Sequence, residues 1–183
     1  MLLIYDGACA LDAPRTRMGG IPLVPEGFEW PACRRCEGPM QFLAHLPFDA
    51  GAISVFFCQN DPGMCDEWDA AAGGNRAYVF SAPLQPAAVP DDGVPLLGAV
   101  TGLRPQTEET PTRTQVLGHV GGDPDWLQND ETPLCPACMS PMTLTAELEE
   151  GHDLATAANF GGGGRGYVFQ CDNCAKAAFL FQC

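Results

Sequence analysis

The sequence predicts a mainly β fold, β-rich with little helix, built by internal duplication of two small antiparallel-sheet modules. Three observations predict it. The 183 residues include 21 Gly and 17 Pro, a density of turn formers that favours short strands over long helices. Residues 19–46 align with residues 121–148 without a gap, at a constant offset of 102, with 11 identities in 28 positions. Each aligned block is followed by short apolar runs that alternate or end in cysteine.

The identities fall on residues with special backbone or ligand roles. Gly19, Gly20 and Pro22 match Gly121, Gly122 and Pro124. Cys33, Cys36, Pro39 and Met40 match Cys135, Cys138, Pro141 and Met142. Shared Gly and Pro mean the same turn built twice. Next in each copy come "MQFLAHL" and "MTLTAEL", which alternate as strands with one buried face. The expected inward sets are Phe42, Ala44, Leu46 and Leu144, Ala146, Leu148. Gln41, His45, Thr143, Thr145 and Glu147 are expected on the opposite face. A second strand ends in cysteine in both copies, "ISVFFC" at 53–58 and "GYVFQC" at 166–171. A third closes each, "RAYVFS" at 76–81 and "AAFLFQ" at 177–182. The organisation expected is a first module over 1–81, a Pro-rich connecting segment over 82–114 and a second module over 115–183, together one compact duplicated domain. A strand near Leu96–Val100 is expected within the connecting segment, because a long structureless stretch is unusual in a compact domain.

The cysteines form two sets of four. Cys33-x-x-Cys36 is followed after 21 residues by Cys58 and Cys65, and Cys135-x-x-Cys138 after 32 residues by Cys171-x-x-Cys174. A Cys-x-x-Cys turn puts two sulfurs on one side of a tight loop, and a pair at a strand end supplies the other half of a tetrahedral four-thiolate site. Zn2+ prefers that donor set, and such closed sites are structural. Two structural Zn2+ ions are therefore expected, held by Cys33, Cys36, Cys58 and Cys65 and by Cys135, Cys138, Cys171 and Cys174. Cys9 and Cys183 remain as free thiols. Small modules need such a staple, and metal binding is coupled to folding. Removing Cys138 or Cys174 is thus expected to unfold the C-terminal half.

Other chemistry finds less support. His45, His119 and His152 are scattered, and no serine lies in a nucleophile elbow. "FGGGGRGYVF" at 160–169 lacks the Lys-Ser/Thr of a phosphate loop and precedes a strand, so it reads as a turn. Asp61, Asp66, Glu67 and Asp69 lack the calcium-loop pattern and read as solvated surface. With 9 basic against 23 acidic residues and a net charge of −14, nucleic acid is not an expected partner; a basic protein partner suits the charge. The first residues carry no basic n-region and an apolar run of four, so no signal peptide is expected. No stretch reaches the roughly 18 apolar residues of a membrane span, and the expected compartment is the reducing cytoplasm. Trp30, Trp68 and Trp126 either seal the small cores or line a partner groove.

"GGIPLVPEGFEWPACRRCEGPMQFLAHLPF" and "GGDPDWLQNDETPLCPACMSPMTLTAEL" resemble the two halves of YwqG-like bacterial proteins. The paired cysteines resemble the zinc-bearing eukaryotic relatives, the programmed-cell-death-protein-two and Tsr-type ribosome-assembly factors. The resemblance covers 19–81 and 115–183. It implies a duplicated β-rich fold, no known enzymatic activity, and a chaperone-like or immunity-like role toward a ribosomal-protein-like client or a toxin domain. His45 and Glu147 depart from the Gln usual there in that family. The function expected is a non-enzymatic, zinc-stabilised module that binds a protein or peptide segment, with Trp30, Trp68, Trp126 and His45 as partner-surface candidates. The alternative is a zinc-dependent or other hydrolase.

Overall fold

The computed structural model describes residues 1–107, 115–153, 155 and 157–183. Among them the chain forms β1 (Leu2–Ala8), β2 (Arg17–Met18), β3 (Leu23–Val24), β4 (Gln41–Phe48), β5 (Gly51–Phe57), β6 (Asn75–Ser81), β7 (Gln85–Pro86), β8 (Thr101–Gln106), β9 (Val116–Val120), β10 (Thr143–Glu149), β11 (Arg165–Cys171) and β12 (Lys176–Gln182). Ten of these make one antiparallel sheet in the order β12-β11-β10-β9-β1-β8-β2-β4-β5-β6, and β3 and β7 make a small second sheet. The strands expected after each Cys-x-x-Cys turn are all present. No helix among the described residues is long and apolar enough to cross a membrane.

The duplication is visible in the pairing. Arg17 lies opposite His45 and Met18 opposite Ala44. His119 lies opposite Glu147 and Val120 opposite Ala146, each 102 residues on. Gly19 N–H donates to the Leu43 carbonyl at 2.8 Å, and Gly121 N–H donates to that of Thr145 at 2.9 Å. Gly19 and Gly20 have φ of 72° and 83°, and Gly121 and Gly122 have 62° and 84°. That left-handed pair is why the Gly-Gly is repeated. At Gly19 a side chain is also impossible, because a Cβ would lie 2.1 Å from the Ala99 carbonyl oxygen.

The two copies exchange a strand. β1 precedes β2 in the chain but pairs with β9, and β8 precedes β9 but pairs with β2. β1 and β8 pair with each other at the sheet centre. The segment 82–114 therefore contributes a central strand. It runs over Thr101–Gln106 rather than Leu96–Val100, where Leu96 makes only a bridge to Phe42. The stretch just before it is occupied in crossing Gly19, so ladder pairing begins at Thr101 opposite Met18. Residues 108–114 of the segment lie outside the described residues.

The sheet curls until its edge strands β6 and β12 lie against each other, enclosing one core. Leu3, Leu43, Phe57, Leu103, Phe160, Val168 and Phe179 meet there, with Phe57 at 5.8 Å from Phe160 and 6.1 Å from Phe179 between ring centroids. Two smaller clusters lie on the outer face. One holds Met40, Phe42 and Phe56 with Cys33, Cys58 and Cys65. The other holds Met142, Leu144, Tyr167 and Phe169 with Cys135 and Cys171.

These clusters correct the expected alternation. The β4–β5 register shifts between Phe42 and Ala44, and the β10–β11 register between Leu144 and Ala146. A bulge inserts one residue and reverses the facing of those before it. Phe42 and Leu144 thus join the outer clusters, while Leu43 turns into the central core. Both faces of these strands are covered, so His45 and Glu147 are buried at 2% exposure, although a polar opposite face was expected.

Candidate metal centres

Each Cys-x-x-Cys turn is determined locally. Glu37 N–H donates to the Cys33 carbonyl at 2.9 Å and Cys33 N–H to the Gly38 carbonyl at 2.9 Å. Met139 N–H donates to the Cys135 carbonyl at 2.8 Å and Cys135 N–H to the Ser140 carbonyl at 2.8 Å. Glu37 and Met139, the residues after the second cysteine, have φ of 60° and 61°. The bridges Ala32↔Pro39 and Leu134↔Pro141 close the two loops. The fourth cysteines are also followed by left-handed residues, Asp66 at 51° and Ala175 at 46°. The strand ends of β5 and β11 place Cys58 and Cys171 beneath these turns.

The result is two sulfur tetrads, Cys33, Cys36, Cys58, Cys65 and Cys135, Cys138, Cys171, Cys174, with all ligand atoms of each within 4.8 Å of one another. A tetrahedron with Zn–S near 2.3 Å has S···S edges of about 3.8 Å. Cys36 Sγ lies 3.7 Å from Cys58 Sγ and Cys138 Sγ 3.6 Å from Cys171 Sγ. The separations suit a shared cation and are far longer than the roughly 2.05 Å of a disulfide. All ten cysteines are free.

The thiols of each tetrad are inequivalent. At Cys36 burial opposes ionisation, but hydrogen bonds from Asn60, Gly38 N–H and the neighbouring thiols outweigh it and bring the thiol down to about 7. The Ser140 N–H and hydroxyl bring Cys138 down to about 6. Burial pushes Cys58 up to about 12, and sharing its proton with Cys138 does the same to Cys174. Cys36 and Cys138, at the exposed corners, thus ionise more readily than Cys58 and Cys174, whose protons an entering cation must displace. Arg35 N–H donates to Cys33 Sγ and Asn60 Nδ2 to Cys36 Sγ, both at 3.4 Å, as donors around thiolate ligands should.

Several polar residues escaped the sequence reading. Glu67 is 3% exposed, whereas a solvated carboxylate was expected. Its oxygens accept from Gly63 N–H at 2.5 Å and Cys65 N–H at 3.1 Å, fixing the loop between the third and fourth ligands. The glycine-rich turn at 160–164 wraps a carboxylate of the protein itself. Glu150 accepts from Phe160 N–H, from Gly162 N–H at 3.0 Å and from Gly163 N–H at 2.8 Å, so an internal anion occupies those donors.

The duplicated position on β4 and β10 carries opposite chemistry. Glu147 accepts from His119 at 3.2 Å, Arg165 at 3.1 Å and Asp125 N–H at 3.0 Å. Arg165 also pairs with the Asp125 carboxylate. The Glu147 hydrogen bond raises the His119 pKa; that contribution is full below the ordinary value of about 6.5 and is lost as pH rises through the raised one. His45 is the reverse. Burial, then the Arg17 charge, hold it down at about 4, and its Nδ1 and the facing Ser54 Oγ have no partner among the described residues. A histidine buried neutral costs stability as pH falls below about 6.5, because only the unfolded chain takes up the proton. His45→Gln is therefore expected to remove a loss on the order of 1 kcal/mol between pH 6.5 and pH 5.5. Urea melts of both proteins across that range, with metal content confirmed at each pH, check it.

The aromatic candidates separate. Trp30 donates from Nε1 to the Met40 carbonyl at 2.8 Å and packs on Phe56. Trp126 lies over Tyr167 at 4.6 Å. Both cover the outer clusters. Trp68 alone of the three is exposed, at 41%. His45, a partner-surface candidate from the sequence, lies inside because the outer face of β4 is covered. Comparisons of the chain with protein-family models, with curated proteins and with solved structures found no match.

Proposed function

We propose that the protein is a non-enzymatic scaffold in which two Zn2+ ions, one per tetrad, hold loops that bind a protein partner. The observation that carries this reading is where the metal loops put their apolar side chains. Met64 and Trp68 flank the fourth ligand of the first tetrad, and Leu134 and Met139 flank the Cys-x-x-Cys of the second; they are 55%, 41%, 51% and 66% exposed. Large apolar groups held in solvent by rigid loops mark interaction surfaces. Four thiolates complete a tetrahedron and leave no position for substrate, which favours a structural over a catalytic role. The resemblance to the YwqG-like and programmed-cell-death-protein-two-like superfamily supports the same reading, and a reducing cytoplasmic setting would keep eight thiols free for metal.

Purified protein is expected to contain two zinc ions per chain by elemental analysis. Cobalt substitution should give the intense thiolate charge-transfer bands of tetrahedral four-sulfur sites. Spectra showing oxygen or nitrogen ligands at either site would sink the closed-site argument. A pull-down from the native host that recovers no stoichiometric protein would count against the binding role.

A further inference from the structure

The two copies differ in length just after their fourth ligand. Ala175 alone separates Cys174 from β12, whereas residues 66–74 separate Cys65 from β6. The longer loop of copy one reaches across to copy two. The Trp68 carbonyl accepts from Phe181 N–H at 3.2 Å, and Ala70 packs on the outer cluster of the second copy. Asn75 Nδ2 pins the loop from within, donating to the Glu67 carbonyl at 2.9 Å and that of Asp69 at 3.0 Å.

Between this loop and the second Cys-x-x-Cys turn lies a groove of about 660 Å³, with Leu180 in its floor and Pro133 and Leu134 in its far wall. A second hollow of about 280 Å³ continues it toward Gln128 and Cys183. Trp68 and Glu131 border both. Asp69 adds a second carboxylate, and no Lys or Arg lines either hollow. The loop that makes the groove has no counterpart of its length in copy two, where Ala175 alone stands between Cys174 and β12.

We propose that this groove takes an extended segment of a partner protein in which basic residues alternate with aliphatic ones. The inference rests on the protein-binding reading above and names its site and partner chemistry. Aliphatic side chains would fill the two hollows that Trp68 borders, against Leu134 and Leu180 in the larger and Phe181 in the smaller. A cation crossing the indole between them gains both the ring face and the Glu131 carboxylate. The −14 charge of the chain steers such a segment in and repels acidic ones. The backbone of the wall is already fixed, so little ordering opposes binding.

The test uses the full chain with its metal and two short synthetic peptides, one alternating Lys with Leu and Pro, the other with Glu in place of each Lys. Titrations are followed by the nitrogen-15 indole resonances of the three tryptophans. The Lys peptide is expected to move the Trp68 resonance and leave Trp30 and Trp126 still. Trp68→Ala should weaken it at least tenfold, and Asp69→Asn with Glu131→Gln severalfold with loss of salt dependence. Leu134→Ser should weaken binding as well, and all variants should keep two metals per chain and the parental melt, since these groups are exposed. Equal binding of the Glu peptide, or unchanged affinity in Trp68→Ala, overturns the proposal. Binding that leaves Trp68 untouched overturns the groove while the protein-binding reading stands. Binding of neither peptide also overturns it, and the native pull-down then decides the broader reading alone.

Discussion

Replacing Cys138 with Ser is expected to destabilise the whole chain in one transition, with copy one failing together with copy two. A four-thiolate zinc site contributes about 10–16 kcal/mol in small domains, comparable to the roughly 5–15 kcal/mol that holds a typical domain folded. Losing one ligand, even if the remaining three keep part of the affinity, should lower the melting midpoint by at least about 10 °C at roughly 2–4 °C per kcal/mol. From the sequence alone the damage would stop at the C-terminal half. The structure changes that expectation. Leu3 and Leu103 come from the exchanged strands, and Phe57 of copy one packs against Phe160 and Phe179 of copy two. Each half keeps neighbouring strands of its own, β2-β4-β5-β6 or β9-β10-β11-β12, but the central core those strands close over is built by both. Far-UV circular dichroism and Trp30 fluorescence should lose signal at one temperature in the variant. Separate melts for the two copies would overturn the shared-core argument. A chelated protein that kept its full melting midpoint would overturn the role of the metal.

Arg17→Met is expected to cost about 3–5 kcal/mol without touching either tetrad. The Arg17 side chain is fully buried at 0% exposure. Its guanidinium donates to the Ala13 carbonyl at 2.8 Å and to the carbonyls of Gly19 and Ile21, and stands 5.3 Å from the Phe42 ring centroid. Burial lowers its pKa to about 10, which leaves it charged at neutral pH. Methionine would match its length but strand the buried Gly19 carbonyl and the partly buried carbonyls of Ala13 and Ile21, at about 1–3 kcal/mol for a buried group. Lysine should rescue little, because a single ammonium cannot reproduce the planar fork that reaches three acceptors. Denaturant midpoints of the Met and Lys variants, measured with metal content confirmed, check this. A Lys variant as stable as the parent would show that charge alone suffices there.

The four-cysteine sets were legible because their geometry is local. A turn that closes on its own backbone places two sulfurs from four residues, and a strand end places the next. The same holds for the Gly-Gly pairs, whose left-handed φ is set within a few bonds. The buried polar groups were not legible. Arg17, Glu67 and Glu147 read as ordinary charged residues until the segments that cover them are in place. The bulges at Leu43 and Thr145 left no mark that alternation could show, since both apolar and polar residues on β4 and β10 end up buried.

By itself, then, the sequence determined a duplicated, strand-rich chain with two sets of thiols at cation-binding spacing. Only the tertiary structure decided that the copies exchange strands, share one core and differ at the loop carrying Trp68. The physical reason is range. Turn chemistry acts over four or five residues and repeats wherever the residues repeat. The pairing of β1 with β9, the burial of His45 and the groove between residues 66–74 and Leu134 depend on surfaces brought together across about one hundred residues of chain. There, side chains that local pattern treats as equivalent acquire different neighbours.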